Sequence, residues 1–222
     1  ISKEIEKQFK KLGVKIMTGA AVQSIDDDGS KVTVAIKNNK SGETETVTVD
    51  NMHHRFLHVH EMDKVKVAAT IVEHGHRTLI FSNTKRAADR LVRDLRDEGI
   101  KAEPVHGDLP QRAREKAMRQ FGEGKIQALV ASDVAARGID IDEIDTVVHW
   151  EPAPDHKTYL HRSGRTARAG TTGVAVTLSI WNEEMPVKLL QKRLGLEDHP
   201  IVEVFSNDER LRSLDAWDPR ND

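Results

Sequence analysis

Cysteine is absent from the 222-residue chain, which excludes both a disulfide framework and thiolate chemistry and fits a reducing compartment. No stretch approaches the roughly 18 consecutive apolar residues of a membrane-spanning helix. No signal-peptide pattern opens the chain, and its first residue is Ile1 rather than methionine, which predicts a processed or excised chain. Together these absences predict a soluble, cytoplasmic protein without a membrane partner.

The chain also lacks a strong net charge. Its 34 basic and 36 acidic residues give a formal charge of -2. This balance excludes a globally basic, nucleic-acid-binding composition, so any contact with a polyanion must come from a local patch. The sequence contains no internal repeat and no low-complexity segment, and its length suits one large domain with an additional piece.

Residues 1–52 form the first of two regions with different patterns. Ser2 is a suitable N-cap, and Ile5, Phe9 and Leu12 follow at helical spacing, which predicts a helix. Segments rich in Val, Thr and Ile then alternate around the turn sequences DDDG and NKSG. This pattern predicts an antiparallel β-hairpin or meander as an appendage.

Residues 53–205 form the second region, in which short apolar runs such as TLIFS and QALVAS alternate with helical patterns. Continuous apolar runs separated by helices are typical of a parallel sheet that is covered on both faces. We therefore predict an α/β fold for this region. Residues 206–222, which include SLDAWDPRND, are predicted to form a loose C-terminal tail.

Four successive strand ends of the second region carry hydroxyl, amide, glycine and arginine residues. Ligands bind at the carboxyl ends of parallel strands, and these groups bind phosphate oxygens, so this edge is predicted to contact a polyanion. Each feature alone has a plainer interpretation. Thr84 and Asp133 suit helix caps, Gln111 and Arg114 suit a solvated helix face, and an arginine run suits ordinary surface charge. Their order along the chain favours the functional interpretation.

Four segments in order are LIFSNTKR (79–86), HGDLPQRAREKAMRQF (106–121), VASDVAARGIDI (130–141) and YLHRSGRTARAG (159–170). They resemble motifs IV, IVa, V and VI in the second RecA-like domain of DEAD-box ATP-dependent RNA helicases. The resemblance covers about residues 53–205 and implies a RecA-like parallel sheet. It also implies half of a helicase core, which closes onto a first RecA-like domain when ATP and RNA bind.

The resemblance implies roles for the matching residues. His161 would be catalytic and would contact the first domain, with Arg162 beside it at the domain interface. Arg165 and Arg168 would be arginine fingers on the γ-phosphate of ATP, because a planar cation stabilises the charge that spreads during phosphoryl transfer. The nucleotide-binding set would be Gly138, Asp140, Arg165 and Arg168. The RNA-binding set would be Thr84, Gln111, Arg114, Ser132, Asp133 and Arg137, with Ser132 replacing the more usual threonine.

The sequence lacks the loop G-x-x-x-x-G-K-[ST] that holds phosphates and lacks a D-E-A-D tetrad for Mg²⁺. The nearest string, GEGKI (122–126), fails on spacing and has no hydroxyl. In the family these elements belong to the first RecA-like domain, which would therefore hold ATP and Mg²⁺. We expect no appreciable ATP hydrolysis by this chain alone, and we expect RNA binding through the backbone that is sensitive to salt and insensitive to sequence.

The segment SKEIEKQFKKLGVKIMTGAAVQSIDDDGSKVTVAI resembles part of the NAD-binding domain of dihydrolipoamide dehydrogenase-like flavoprotein reductases. The glycine fingerprint, redox cysteines and FAD segments of that family are absent, so neither an NAD nor an FAD site is predicted. A junction of two families near residues 50–53 predicts a chimera, either natural or made in the laboratory. The alternative function is then a non-catalytic fold with residual RNA binding. Exposed strands of the appendage also suggest a homodimer.

His53, His54, His58 and His60 form a cluster, and the last three share one face of an extended strand. A metal site would need converging imidazoles. We favour neutral surface histidines and predict no metal site.

Overall fold

The computed structural model describes residues 20–27, 31–39, 41–50, 52–133, 144–167 and 172–221. The chain separates into two compact units, residues 1–51 and residues 52–222. Each unit has its own β-sheet.

The N-terminal unit contains three antiparallel strands, β1 (Ala20–Asp27), β2 (Lys31–Asn38) and β3 (Thr44–Asp50), in the order β1-β2-β3. In the turn between β2 and β3, the carbonyl of Asn38 accepts the N–H of Gly42 at 2.8 Å. Gly42 has a φ of 75°, which favours glycine. The predicted antiparallel appendage is confirmed, while the predicted helix near its start lies outside the described residues.

The C-terminal unit is built on a seven-stranded parallel sheet in the order β10-β4-β9-β8-β5-β7-β6. Strands β5, β7, β8 and β9 are buried along their whole length, which explains their continuous apolar sequences. The strands are β4 (Met52–His58), β5 (Thr78–Ser82), β6 (Ala102–Val105), β7 (Ala128–Ser132), β8 (Thr146–His149), β9 (Gly173–Ser179) and β10 (Ile201–Glu203).

Helices cover both faces of this sheet because alternate strand residues point to opposite sides. Ile80 of β5 packs in the same cluster as Leu91, whereas its neighbour Phe81 packs with Phe121. The predicted fold class is therefore confirmed. No helix among the described residues is long and apolar enough to cross a bilayer. The helices are α1 (Lys64–His74), α2 (Lys85–Asp97), α3 (Gln111–Gly122), α4 (His156–Ser163) and α5 (Glu184–Leu194).

The C-terminal segment, predicted to be loose, is packed against the sheet. Two short 3-10 helices, Glu209–Arg212 and Pro219–Asn221, lie within it. Leu211 and Leu214 are buried in the cluster that contains α1 and α2. The Nε of buried Arg55 donates to the carbonyl of Leu214 at 3.0 Å. The expectation of a loose tail is corrected because these leucines complete the apolar core.

Candidate functional site

The candidate site lies at the carboxyl edge of the parallel sheet, where β7, β5 and β8 end side by side. Ser82 at the end of β5 is paired in register with Ser132 at the end of β7. The residues that follow these strands are Asn83 and Asp133, and Glu151 follows β8. The fold therefore brings together polar side chains that are far apart in the sequence, at the edge where parallel sheets bind ligands.

Arg162 on α4 is the centre of this site, and only 1% of it is exposed. Its Nε donates to Asp133 Oδ1 at 2.6 Å, and its Nη2 donates to Asp133 Oδ2 and to Asn83 Oδ1, both at 2.8 Å. The guanidinium also lies 5.4 Å from the centre of the Phe81 ring. A buried guanidinium requires paired hydrogen bonds, which this bidentate arrangement supplies to Nε and Nη2, while Nη1 has no hydrogen-bond partner among the described residues. Arg162 thus joins α4 to the ends of β5 and β7.

The resemblance predicts Arg162 beside His161 at a domain interface, but the two residues differ in their surroundings. Arg162 is buried against Asp133 and Asn83, whereas His161 is exposed. Consecutive residues of a helix lie about 100° apart, so neighbours readily face the interior and the solvent respectively. Arg162 therefore acts inside the domain by holding two loops together.

The loop after β5 is held from a second side by Glu151. Glu151 Oε2 accepts the backbone N–H of Asn83 at 3.0 Å, and Oε1 accepts the Ser82 hydroxyl at 3.4 Å. Burial raises the pKa of the Glu151 carboxyl, and the hydrogen bond from Asn83 partly offsets this effect. Because Arg162 occupies the Asn83 side-chain carbonyl, the amide NH₂ of Asn83 remains to donate to an acceptor such as a phosphate oxygen.

Thr84 is the N-cap of α2, as its plainer interpretation suggested. Its Oγ1 accepts the N–H of Ala87 at 3.1 Å, and its side chain is exposed. The hydroxyl hydrogen can still donate to a ligand. The N-terminus of α2, with its partial positive charge, also lies at this edge of the sheet. The capping role is therefore compatible with a phosphate contact.

Gln111 and Arg114 share the first turn of α3. Arg114 Nη1 donates to Gln111 Oε1 at 3.2 Å, and Gln111 Nε2 donates to Glu115 Oε1 at 2.8 Å. Helix α3 follows β6, which lies two strands away from β5. At the usual strand spacing this separates the α2 and α3 ends of the site by about 10 Å.

Ser132 is 6% exposed, and its Oγ has no hydrogen-bond partner within the described part of the chain. The predicted site residues Arg137, Gly138, Asp140 and Arg168 lie outside the described residues. The predicted nucleotide contacts of Gly138 and Asp140 and the second predicted arginine finger, Arg168, therefore stay predictions.

Arg165 is the second residue after α4, following the C-cap Gly164, and is half-buried. Its N–H donates to the carbonyl of Arg162 at 3.1 Å. The next residue, Thr166, donates its hydroxyl to the carbonyls of Ile144 and Asp145 at 2.5 and 3.0 Å. The backbone around Arg165 is consequently fixed on both sides.

A buried stack of rings supports α4. The ring of His149 stacks on that of Tyr159 with 4.6 Å between centroids, and His149 Nε2 lies 3.0 Å from Ser163 Oγ. The Tyr159 hydroxyl lies 2.8 Å from His54 Nδ1. Burial holds the pKa of His149 well below its usual range and lowers that of His54 to about 4. Both rings are therefore neutral near pH 7.

The histidine cluster at β4 does not form a joint site in the described structure. His54 contacts Tyr159, whereas His60 is exposed beyond the end of the strand. Within the described ranges, no group of three or more His, Asp or Glu side chains is arranged to hold a metal ion.

Asn83 and Glu151 are the two residues of the site that the sequence analysis did not select. Asn83 stands inside a segment that was singled out, immediately before Thr84. Glu151 is the first acidic residue after β8, a strand-end position like that of Asp133. The strand-end argument sought groups that bind phosphate oxygens, so it passed over this carboxylate.

Comparison with known proteins gives a consistent family match. Residues 63–170 match the family model for the helicase conserved C-terminal domain. The DEAD-box ATP-dependent RNA helicase CshA of Geobacillus kaustophilus is 42% identical over 133 residues, which are 59% of this chain and 28% of that protein. The chain therefore spans less than a third of this curated relative.

Two solved structures extend the match to the fold. The structure of the C-terminal domain of the DEAD-box protein Dbp5 is 31% identical, with a TM-score of 0.59, over 72% of this chain and 94% of that one. The structure of S. cerevisiae Dbp5 bound to RNA and ADP BeF₃ is 30% identical, with a TM-score of 0.63, over 74% of this chain and 45% of that one.

Proposed function

Because this chain belongs to the DEAD-box RNA helicases, whose C-terminal helicase domain it carries, we propose that it supplies the second RecA-like half of an ATP-dependent RNA helicase core. The observation that carries the proposal is the cluster in which Arg162 holds Asn83 and Asp133 at the carboxyl edge. It gathers residues from three of the four helicase-like segments at one place.

RNA would lie along this edge and contact the chain through its backbone. This chain's part of the RNA-binding surface would consist of Thr84, Gln111, Arg114, Ser132, Asp133 and Arg137, together with the amide of Asn83. Dbp5 has been solved with RNA bound, which supports the assignment by similarity. Because Asp133 is an acid already paired with Arg162, its part is to position the loop rather than to touch phosphate. Phosphate contacts orient RNA without reading its sequence, so binding would depend strongly on salt.

The nucleotide would contact this chain through Arg165 and Arg168. Arg165 and Arg168 would stabilise charge on the γ-phosphate, and exposed His161 would contact the first helicase domain. Gly138 and Asp140 would add contacts to the nucleotide. The arginines would supply cationic donors to the phosphate oxygens, but the sequence contains neither a phosphate-binding loop nor an acidic pair for Mg²⁺. ATP and Mg²⁺ would be held mainly by the first domain of the intact enzyme.

We expect no appreciable ATP turnover from this chain alone and RNA-stimulated turnover after a separate first RecA-like domain is added. Phosphate release, measured with and without RNA, checks both outcomes. Robust turnover by the chain alone that Arg165→Ala abolishes would contradict the proposal. If the mixture is inactive and the chain shows no salt-dependent RNA binding, the alternative of a non-catalytic fold is favoured.

For residues 1–52 we propose, from the resemblance alone, a fragment related to flavoprotein reductases. The entire chain would then be a chimera of two families. No NAD or FAD site is proposed. Strands β1 and β3 are the edges of the described three-stranded sheet, which supports a homodimer through edge pairing. Light scattering that gives a clean monomer at high concentration would exclude this dimer. By similarity to bacterial helicases, a cytoplasmic location is part of the proposal.

A further inference from the structure

We propose that one exposed face of α2 is a second RNA-contacting surface, along which RNA continues after it leaves the carboxyl edge. This arginine face consists of Arg86, Arg90 and Arg93. The inference rests on the proposed function because the arginine face extends the same RNA path. It concerns residues outside those assigned to the site above.

The spacing of the three arginines places them in one row. They stand at positions i, i+4 and i+7, so at 3.6 residues per turn they fall within a sector of about 60°. All three are exposed, whereas Leu91 and Leu95 on the other side of α2 are buried in the core. The row extends over about 10 Å at 1.5 Å per residue. One nucleic-acid strand presents about three phosphates over this length at its duplex rise.

The arginine face differs in its pairing from Lys85, Asp89 and Arg96, the other charged residues of α2 that form ion pairs. Within the described ranges, no carboxylate forms an ion pair or a hydrogen bond with Arg86, Arg90 or Arg93, whereas three other charged side chains of α2 have partners. Those pairs are Lys85 with Asp108 at 2.5 Å, Arg96 with Glu103 at 2.9 Å and Asp89 with His106 at 2.9 Å. Three guanidinium groups therefore remain to contact an external anion.

The arginine face is continuous with the candidate site. Arg86 and Arg90 line the same cleft as Thr84 and Glu151, and Thr84 immediately precedes the first turn of α2. A phosphate that leaves the edge at the N-terminus of α2 would meet Arg86 first. This continuity favours RNA over an acidic protein segment as the partner.

Carboxylates determine where the RNA can run. Glu61, Asp94 and Glu151 line the cleft itself. Their charge disfavours phosphate inside the cleft, and Asp97 lies beyond Arg93 at the far end of the row. We therefore infer a path along the outer rim of α2, limited to its first two to three turns.

The test compares RNA length and salt dependence for two variants of the full chain. The first is the triple variant Arg86→Gln, Arg90→Gln and Arg93→Gln, which keeps good helix formers in α2. The matched control is Lys188→Gln, Lys192→Gln and Arg193→Gln on α5. It changes the net charge equally, and α5 packs with Phe56 on the other face of the sheet from Leu57 and α2. Binding of oligouridylates from about 4 to about 16 nucleotides is measured by fluorescence anisotropy.

On the shortest oligonucleotides we expect the α2 variant to bind as the unmodified chain does. On the longest, we expect its plot of log affinity against log salt to be shallower by about 2, at about 0.7 per lost phosphate contact. Between 50 and 200 mM salt the unmodified chain would then lose about fifteenfold more affinity than the variant.

The outcomes separate this inference from the proposed function. If the unmodified chain binds no oligonucleotide at low salt, the proposed function itself fails. If it binds but the α2 variant matches it at every length, the arginine face is only a solvated surface and the inference is overturned. An equal loss in the α5 control would also overturn it, because the effect would then come from net charge alone.

Discussion

In a core reconstituted with a separate first helicase domain, Arg165→Ala is expected to lower RNA-stimulated ATP turnover by about 10³-fold or more. The reason is that a planar guanidinium stabilises charge on the transferred phosphoryl group. The surrounding structure fixes the position of the backbone that carries this side chain. The N–H of Arg165 bonds to Arg162, and Thr166 is anchored to the carbonyls of Ile144 and Asp145. Arg162 is in turn held by Asp133 at 2.6 Å. The backbone is therefore positioned before the nucleotide arrives.

Two controls separate the loss of a finger from a folding defect. Arg165→Lys keeps the positive charge but lacks the planar fork, so we expect it to recover little of the turnover. Arg193→Ala removes an exposed arginine from α5 and should leave turnover unchanged. RNA affinity and the midpoint of denaturant unfolding should stay near those of the unmodified chain for Arg165→Ala. Turnover within about tenfold of normal would remove Arg165 from the catalytic role.

The sheet could be predicted from the sequence because burial on two faces leaves a direct signature. Strands such as β5 and β7 are apolar at every position, and their alternate residues pack into two separate cores. The start of α2 could also be predicted, since Thr84 suits an N-cap and its side-chain oxygen caps this helix. These features are local, so sequence patterns record them.

The side-chain hydrogen bonds and ion pairs of the site could not be predicted in the same way. Arg162 pairs with Asp133 and Asn83, which are 29 and 79 residues away in the sequence. A rotation of about 100° along α4 decides whether an arginine is buried or exposed, and the run of small and basic residues gives no periodicity to choose between them. Glu151 likewise becomes important only because β8 and β5 are neighbours in the sheet.

The packing of the C-terminal segment could not be predicted for a related reason. Leu211 lies in a 3-10 helix, Leu214 in a turn and Trp217 in irregular chain, and their spacing matches neither an α-helix nor a strand. Their burial depends on tertiary contacts. Ser206 donates its N–H and hydroxyl to Asp63 at 2.7 and 2.8 Å, which holds the segment beside α1.

Deleting residues 206–222 is therefore expected to destabilise the C-terminal unit severely. Leu211 and Leu214 are 1% and 7% exposed, and the loss of each buried leucine side chain costs about 2–5 kcal/mol. Buried Arg55 would also lose the carbonyl of Leu214, which accepts its Nε hydrogen bond. Trp217, whose ring lies between 5 and 6 Å from the guanidinium groups of Arg55 and Arg210, would be lost as well. These losses together approach the 5–15 kcal/mol that keeps a typical domain folded.

Point variants make this expectation quantitative even if the truncated chain is insoluble. Leu211→Ala should lower the free energy of unfolding by about 2–5 kcal/mol, measured by chemical denaturation. Its matched control is Arg212→Ala at the neighbouring exposed position, for which we expect a change within about 0.5 kcal/mol. A truncated chain that unfolds at the same denaturant concentration as the full chain would contradict the packing of this segment. If the expectation holds, a helicase domain that ends at residue 205 is not an independent folding unit, because its core is completed by the residues that follow.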